Sequence, residues 1–500
     1  MRVAAVGVSV LAGGTLLAES GLAWLLVGAG VLGVTALAAA GSPTGTADEP
    51  PSRAERGWRR AFALLILAML VVVVLADSVG TPTLLLLAML ATGAFALLPQ
   101  PRMSSLITAP VIAGLAAVPG VRWLLLPRRS WRWTGASVPV VRGLAAAAVL
   151  FLLVGGLLVS ADAAFAGLAD YLLPTWSPDT MVARLAIVAA IFVVVAGSAY
   201  SAATVVRQRP RKPRPGRAAV EWLLPLMVLV VLLGIFFAVQ SAVLFGHYPP
   251  ALVEGSLTRA DLARRGFGQL VVVTLLVALS LTWAAARLRP ADRALFMGCA
   301  GGLVLEMLLL VASALRRMYF YQQAFGLTAL RVDVAAFEVW LAVVIVLAAV
   351  LWVARRAAAI PRMLVLTAGA SLSVLLLVGP DAIVARANVL RFENVGRVDA
   401  GYLARLGPDA VPALDRLPEP FRSCALSGQA TALGVSADSG SPRTPDLPAD
   451  QPPPEGSVDQ PAPTERAEPW YAWNLSRERA RRILAERPVE AEFFSPECVQ

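Results

Sequence analysis

The chain has 500 residues, 58% of them hydrophobic and 15% charged, and its mean hydropathy is +0.70. These values exclude an ordinary soluble domain, whose apolar share sits near about 45–50%. The net charge of +10 is not a nucleic-acid footprint. Residues 381–500 carry 13 basic and 18 acidic residues, and the basic excess of the remainder lies in short loops between apolar runs, which is how membrane orientation is written. The partner that composition names is the lipid bilayer.

Two apolar runs, 3–18 and 21–41, open the chain, broken at Glu19-Ser20-Gly21. With Arg2 before it the first resembles a signal peptide, but nothing that frees a mature domain follows, so it reads as an uncleaved span. The loop 42–60 is basic, and runs 61–76 and 81–98 follow, joined by a turn with no basic residue. Residues 104–126 are apolar but interrupted by Pro110, Pro119 and Gly120 and flanked by arginines at both ends. They read as an interfacial or re-entrant segment rather than a span. Further spans are expected at 143–160, 181–204, 219–245, 269–286, 294–315, 335–354 and 362–379. Placing the N-terminus inside puts 23 of the 30 basic residues of the membrane region in the cytoplasm. The expected fold is therefore an all-α polytopic transmembrane bundle of about eleven spans, N-in and C-out.

Residues 1–380 form that bundle. The rest is a small helical extracytoplasmic domain: a helical segment at 381–427, a linker at 428–469 whose Pro, Ser, Asp and Gly content predicts disorder, and a terminal helix within 470–500. That helix, capped by Asn474 or Ser476, is expected to pack back on 381–427, since a lone helix of its length is marginal in water. Of three cysteines, Cys299 lies in an apolar helix, while Cys424 and Cys498 flank the linker. In an oxidising exterior these two form a disulfide; otherwise they are two free thiols.

Chemical motifs are sparse. Gly28-Ala-Gly30-Val-Leu-Gly33 fits a dinucleotide fingerprint only in letters, because no strand precedes it. It reads as a small-residue packing face. One histidine, His247, makes no metal cluster, and the NTPase, zinc-protease and α/β-hydrolase signatures are absent. No cofactor and no metal are expected. Polar chemistry concentrates in 294–340, read as a membrane helix, a polar hairpin and a second membrane helix. Glu306 sits mid-span, where an ionisable group is costly and faces protein or water. It is either a proton- or ion-coupling group or a protonated carboxyl in one interhelical hydrogen bond. Glu338 is either half of a structural salt bridge with a neighbouring arginine or part of an outward anion site. The arginines of that site are Arg264, Arg265, Arg316, Arg317 and Arg331, whose guanidinium forks suit phosphate or carboxylate. Tyr319 and Tyr321 belong to the site or to an interfacial aromatic belt.

Four separated pieces, LARRGFGQL at 262–270, SALRRMYFYQQAFGLTALRV at 313–332, PDAIVARANVLR with VDAGYLARLGPDAVPAL at 380–414, and WNLSRERARRIL at 473–484, carry a resemblance. Together they resemble a bacterial, largely actinobacterial, membrane family of unknown function, DUF 4173, a relative of DUF 4153. The resemblance implies a multi-pass inner-membrane protein and no established activity, substrate or catalytic residue. Two readings follow: transport or flipping of an anionic or lipid-linked ligand, or a non-catalytic scaffold or sensor whose extracytoplasmic domain binds an envelope partner. A membrane enzyme is the weakest reading, since no nucleophile–base set appears.

Overall fold

The computed structural model describes residues 2–16, 21–40, 53–98, 103–125, 180–203, 218–244, 259–435 and 469–489. Every regular element among them is helical, as hydrocarbon demands of a chain that must satisfy its own backbone polar groups. In chain order the helices are α1 Arg2–Thr15, α2 Leu22–Ala40, α3 Arg53–Leu75, α4 Thr81–Ala96, α5 Ser105–Leu115, α6 Ala117–Leu125, α7 Met181–Ala203, α8 Ala219–Leu244 and α9 Arg259–Ala285. Then come α10 Arg293–Phe325, α11 Ala329–Val353, α12 Ile360–Val378, α13 Pro380–Val395, α14 Ala400–Leu403, α15 Val411–Leu414, α16 Phe421–Ala432 and α17 Leu475–Glu486. Among the described residues seven helical stretches are long and apolar enough to cross a membrane, and four apolar helices are shorter. The expected span at 143–160 lies outside the described residues. The seven include Ser105–Leu124, within the stretch expected to be interfacial or re-entrant. Here α5 and α6 run on from one another with only Ala116 between them.

The chain divides into two compact units, one of residues 1–99, 104–206 and 372–500, the other of 100–103 and 207–371. In the first unit α1 and α7 are antiparallel. Ala5 shares a cluster with Ala199 at one end, together with Ala38 and Leu124. At the other end Arg184, only 8% exposed, donates from Nη1 to the carbonyls of Gly13 (3.1 Å) and Gly14 (2.6 Å). A guanidinium on the last carbonyls of a helix satisfies acceptors the helix leaves open and opposes its dipole. The segment α6 packs on α7, with Gly120 against the backbone of Ala196 and Gly197 and Trp123 edge-on to Tyr200. Helices α3 and α4 form an antiparallel pair, Phe62 meeting Phe95 at 5.9 Å, joined by a turn that ends at Gly80 (φ 80°).

The region after α12 folds onto this unit. Gly379 (φ 79°) turns the chain into α13, and Gly396 (φ 70°) ends it. The short helices α14 and α15 then lead to α16, which carries through Gly428 to Ala432. The first residues assigned to the linker are thus helical. Gly428 is held there by contact: a Cβ on it would meet the Ala404 carbonyl oxygen at 2.3 Å. The linker residues 436–468 lie outside the described residues. Of the two predicted caps for α17 the structure uses Asn474, whose Oδ1 accepts from the N–H groups of Ser476 (2.9 Å) and Arg477 (3.3 Å).

In the second unit α8, α10 and α11 surround one apolar core containing Trp222, Leu226, Phe296, Leu303, Met307 and Ile345. Trp222 meets Phe296 at 5.7 Å and Phe296 meets Trp352 at 4.8 Å. Helix α10 runs 33 residues to Phe325, roughly 50 Å at 1.5 Å per residue and longer than a hydrocarbon core of about 30 Å. The polar stretch expected as a hairpin is therefore mostly helix. The turn itself is three residues, 326–328, opened by Gly326 (φ 78°).

One packing test follows. A Cβ on Gly21 would fall 2.4 Å from the Ala472 carbonyl oxygen and 2.6 Å from that of Trp473. Gly21→Ala is expected to cost about 1–3 kcal/mol by forced overpacking, read as a lower Tm of the detergent-solubilised chain and faster protease release of 469–489. Gly33→Ala, with open space around it, should not lower the Tm.

Candidate functional site

The structure places the sequence-selected residues as follows. Arg264 and Arg265 lie on α9, and Arg317 and Tyr321 on α10; their side chains are outside the described residues. Arg316 is exposed on α10, and Tyr319 is 57% exposed. Arg331, in the first turn of α11, donates from Nη1 to the Gly326 carbonyl, which pins the three-residue turn. Glu338 is buried, 5% exposed, two turns further along α11 on the same face as Arg331. Glu306 stands on α10 facing α8: a Cβ on Gly234 would lie 3.5 Å from its Oε1.

A second polar constellation, which residue-type reasoning passed over, ties the C-terminal region to the first unit. It is built from a repeated tetrapeptide, Gly379-Pro380-Asp381-Ala382 and Gly407-Pro408-Asp409-Ala410. In each copy the proline starts a helical turn, where its missing N–H costs nothing. Asp381 Oδ2 accepts from the backbone N–H of Gly407 (2.8 Å) and of Val79 (3.0 Å). Asp409 Oδ2 accepts from the backbone N–H of Asp77 (3.0 Å) and from the Ser78 hydroxyl (2.7 Å), while its Oδ1 accepts from the Ser476 hydroxyl. The glycines are reciprocal. A Cβ on Gly379 would meet Asp409 Oδ2 at 3.3 Å, and one on Gly407 would meet Asp381 Oδ2 at 3.0 Å. The two carboxylates thus serve the donors of the α3–α4 turn, where Gly80 offers no side-chain cap.

The terminal helix completes the lock. Asn474, 1% exposed, donates to the carbonyls of Val73 (2.9 Å) and Ala76 (3.2 Å) at the end of α3. Arg477, 4% exposed, pairs with Asp77 at 2.9 Å and donates to the Ala472 carbonyl at 2.5 Å. The Leu22 N–H donates to the Trp473 carbonyl (3.1 Å). A second buried arginine holds the region together internally. Arg422, fully buried, bonds Asp415 (2.8 Å), Glu419 (3.2 Å) and the Arg487 carbonyl (2.6 Å). Cys424, on α16, is buried and disulfide-bonded; Cys299 is free; Cys498 lies outside the described residues.

Two carboxyls in this region respond oppositely to pH. Burial pushes Asp381 above the ordinary aspartate range; the Val79 and Gly407 N–H groups pull it part of the way back, and the Asp409 charge pushes it up again. Its folded form therefore binds a proton more tightly than the unfolded one. The stability this contributes is present at low pH and is lost as pH rises through the raised value. Burial also pushes Glu419 up, but the Ser423 hydroxyl and N–H and the Arg422 guanidinium outweigh it and leave it below the ordinary range. Glu419 therefore stabilises at neutral pH and stops doing so as pH falls through its lowered value. Asp381→Asn keeps an acceptor for both N–H groups, and the expected result is a Tm at neutral pH equal to or above the parent's. Glu419→Gln should lower stability by about 1–2 kcal/mol at neutral pH and flatten the acid limb of a Tm–pH profile. Arg477→Ala, which removes the 2.9 Å ion pair with Asp77 from a largely buried site, is expected to cost about 3–5 kcal/mol.

Among the described residues no cluster of His, Cys, Asp or Glu could hold a metal. No curated protein matches the chain, and no solved structure does. The model of one family, described as a domain of unknown function (DUF4153), matches residues 62–417. The match reaches from the start of the apolar part of α3 through Asp381 and Asp409 to the end of the loop after α15, and stops short of Asn474 and Arg477. The finer resemblance to DUF 4173 is not reproduced; the family supported is its relative. With well over half of its length matched, the chain belongs to the DUF4153 family.

Proposed function

We propose that this protein is a multi-pass membrane component of a bacterial envelope, of actinobacterial type, that acts as a scaffold or sensor. Its helical C-terminal region is a fixed cap on the outer end of the first unit and presents its surface to an envelope partner. The observation that carries this reading is the buried lock of Asp381, Asp409, Asn474 and Arg477 on the ends of α3 and α4. Such a lock transmits displacement of the cap to the helices beneath it.

Two observations support the outward orientation. The basic loops follow the inside-positive rule when the N-terminus is inside. Cys424 is disulfide-bonded, a state that belongs to oxidising compartments. With Cys299 free, we take Cys498 as its partner, which closes the linker between α16 and α17 into a loop. The count of spans remains that of the charge pattern, about eleven, with 104–126 on the cytoplasmic side.

Transport or flipping of an anionic or lipid-linked ligand is the second reading. Glu306 favours it, together with the arginines on α9, α10 and α11. The scaffold reading leads because it rests on the lock of Asp381, Asp409, Asn474 and Arg477, whose contacts are all direct.

Strains carrying single alleles separate the two. The unlocking allele Arg477→Ala is expected to reproduce the envelope-stress sensitivity of a deletion, while Arg316→Ala/Arg317→Ala behaves as wild type. The opposite pattern would transfer support to an anionic ligand. Orientation is read from a Ser439→Cys probe in a chain lacking Cys424 and Cys498. Labelling by an impermeant maleimide in intact cells is expected; labelling only after permeabilisation would reverse the topology.

A further inference from the structure

Helices α8 and α10 lie side by side and parallel. Trp222 packs on Phe296, Met227 Sδ lies 3.9 Å from Cys299 Sγ, and Gly234 lies beside Glu306. The last two contacts are seven residues apart on both helices, so one stripe of each helix faces the other over at least two turns. On α10 that stripe continues to Ser313, again seven residues on. Ser313 is 8% exposed, and its hydroxyl has no hydrogen-bond partner. The Oε2 atom of Glu306 is likewise enclosed and without a partner. On α10 two polar groups therefore stand two turns apart along a mostly apolar seam, and among the described residues neither finds a partner; on α8 the Trp222 Nε1 is in the same state.

A carboxylate left in this state inside hydrocarbon is strongly disfavoured; a carboxylic acid is not. Among the described residues no guanidinium on the neighbouring helices stands beside it at this depth. Helix α8 has no ionisable residue between Glu221 and His247. The described part of α9 at this depth, 272–285, has none either. On α10 itself the nearest are Cys299 and Arg316. On α11, running antiparallel by the contact of Phe296 with Trp352, the ionisable residue at similar depth is Glu338, itself an acid. Gly234 supplies the room, since even a methyl there would touch the carboxyl at 3.5 Å.

We propose that Glu306 is a membrane-embedded proton-binding site in the α8–α10 seam, protonated at rest. It exchanges its proton along the stripe that Ser313 continues. The proton is the only species that moves: the acid releases it to leave a carboxylate, and rebinding restores the acid. This goes beyond the scaffold reading and stands if that reading fails.

The test uses the full-length protein in liposomes and dicyclohexylcarbodiimide, an apolar reagent that adds to protonated carboxyls in membranes. Peptide mass mapping resolves Glu306 from Glu338. The expected result is an adduct on Glu306 that declines as pH rises, by about tenfold per pH unit above the carboxyl's pKa, and that is absent in Glu306→Gln. Gly234→Ala, which makes only an ordinary contact, should keep the parent's size-exclusion profile and the adduct. Gly234→Leu should lower the adduct several-fold. No adduct at any pH in a protein with the parent's elution profile would overturn the proposal, as would an adduct indifferent to pH. Protection by sodium at constant pH would overturn it in favour of a cation site.

Discussion

Two aspartates from a repeated Gly-Pro-Asp-Ala, 28 residues apart in sequence, hold between them the turn that joins α3 to α4, and the first also holds the loop that carries the second. The need behind this is elementary. The turn buries backbone donors, and a buried N–H without an acceptor costs about as much as a lost hydrogen bond. Gly80 gives the turn its left-handed residue but no side-chain cap. The acceptors therefore come from more than 300 residues away in sequence. Once they do, Asn474 on the last carbonyls of α3 and Arg477 on Asp77 finish the same surface. The arrangement of the C-terminal region follows from that accounting together with its own apolar core, which includes Val384, Leu403, Leu414, Leu426 and Leu484.

A cap fixed in this way constrains what the protein can do. Its polar groups are occupied in holding the fold, so the region's free chemistry is on its outer face. The membrane helices of the second unit are different in kind. Their core is aromatic and aliphatic, from Trp222 through Phe296 to Ile345, and polar atoms are rare enough that each open one is conspicuous. Among the described residues Glu306 and Ser313 are the open ones that α10 brings to the seam with α8, where Trp222 Nε1 is the third. The first unit uses its carboxylates as acceptors for backbone donors. The second leaves one with no acceptor or donor of its own, which is the ordinary setting of a group that carries a proton.

Membrane helices were legible because their signal is long and one-dimensional: about twenty apolar residues mean a span whatever they pack against. The cap of α17 was legible to within two residues because only Asn474 and Ser476 precede its periodic part. Helix α10 is longer than its hydropathy implies. Its charged and aromatic residues after Leu315 look like a hairpin in hydropathy, yet Arg, Met, Gln and Ala are good helix formers, and only Gly326 ends it. Helix α16 likewise outruns the boundary at 427, where the Pro, Ser, Asp and Gly content that marks the linker begins. Gly428 serves for close approach to Ala404. The Gly-Pro-Asp-Ala repeat was in plain view, but a four-residue repeat announces nothing until its two copies are seen to touch.

The sequence by itself determined the all-helical class, the membrane habit and the division between an apolar bundle and a charged C-terminal region. Each of these is a property of runs and periods along the chain. It also singled out Glu306, because a charge in a lipid-length run needs no partner to be noticed. Only the tertiary structure decided that Asp381 and Asp409 are acceptors for the α3–α4 turn, that Arg477 answers Asp77, and that Gly234 lies against Glu306. Those facts depend on residues tens to hundreds of positions apart. Their meeting is set by which buried donors and surfaces remain unsatisfied after every local helix has formed.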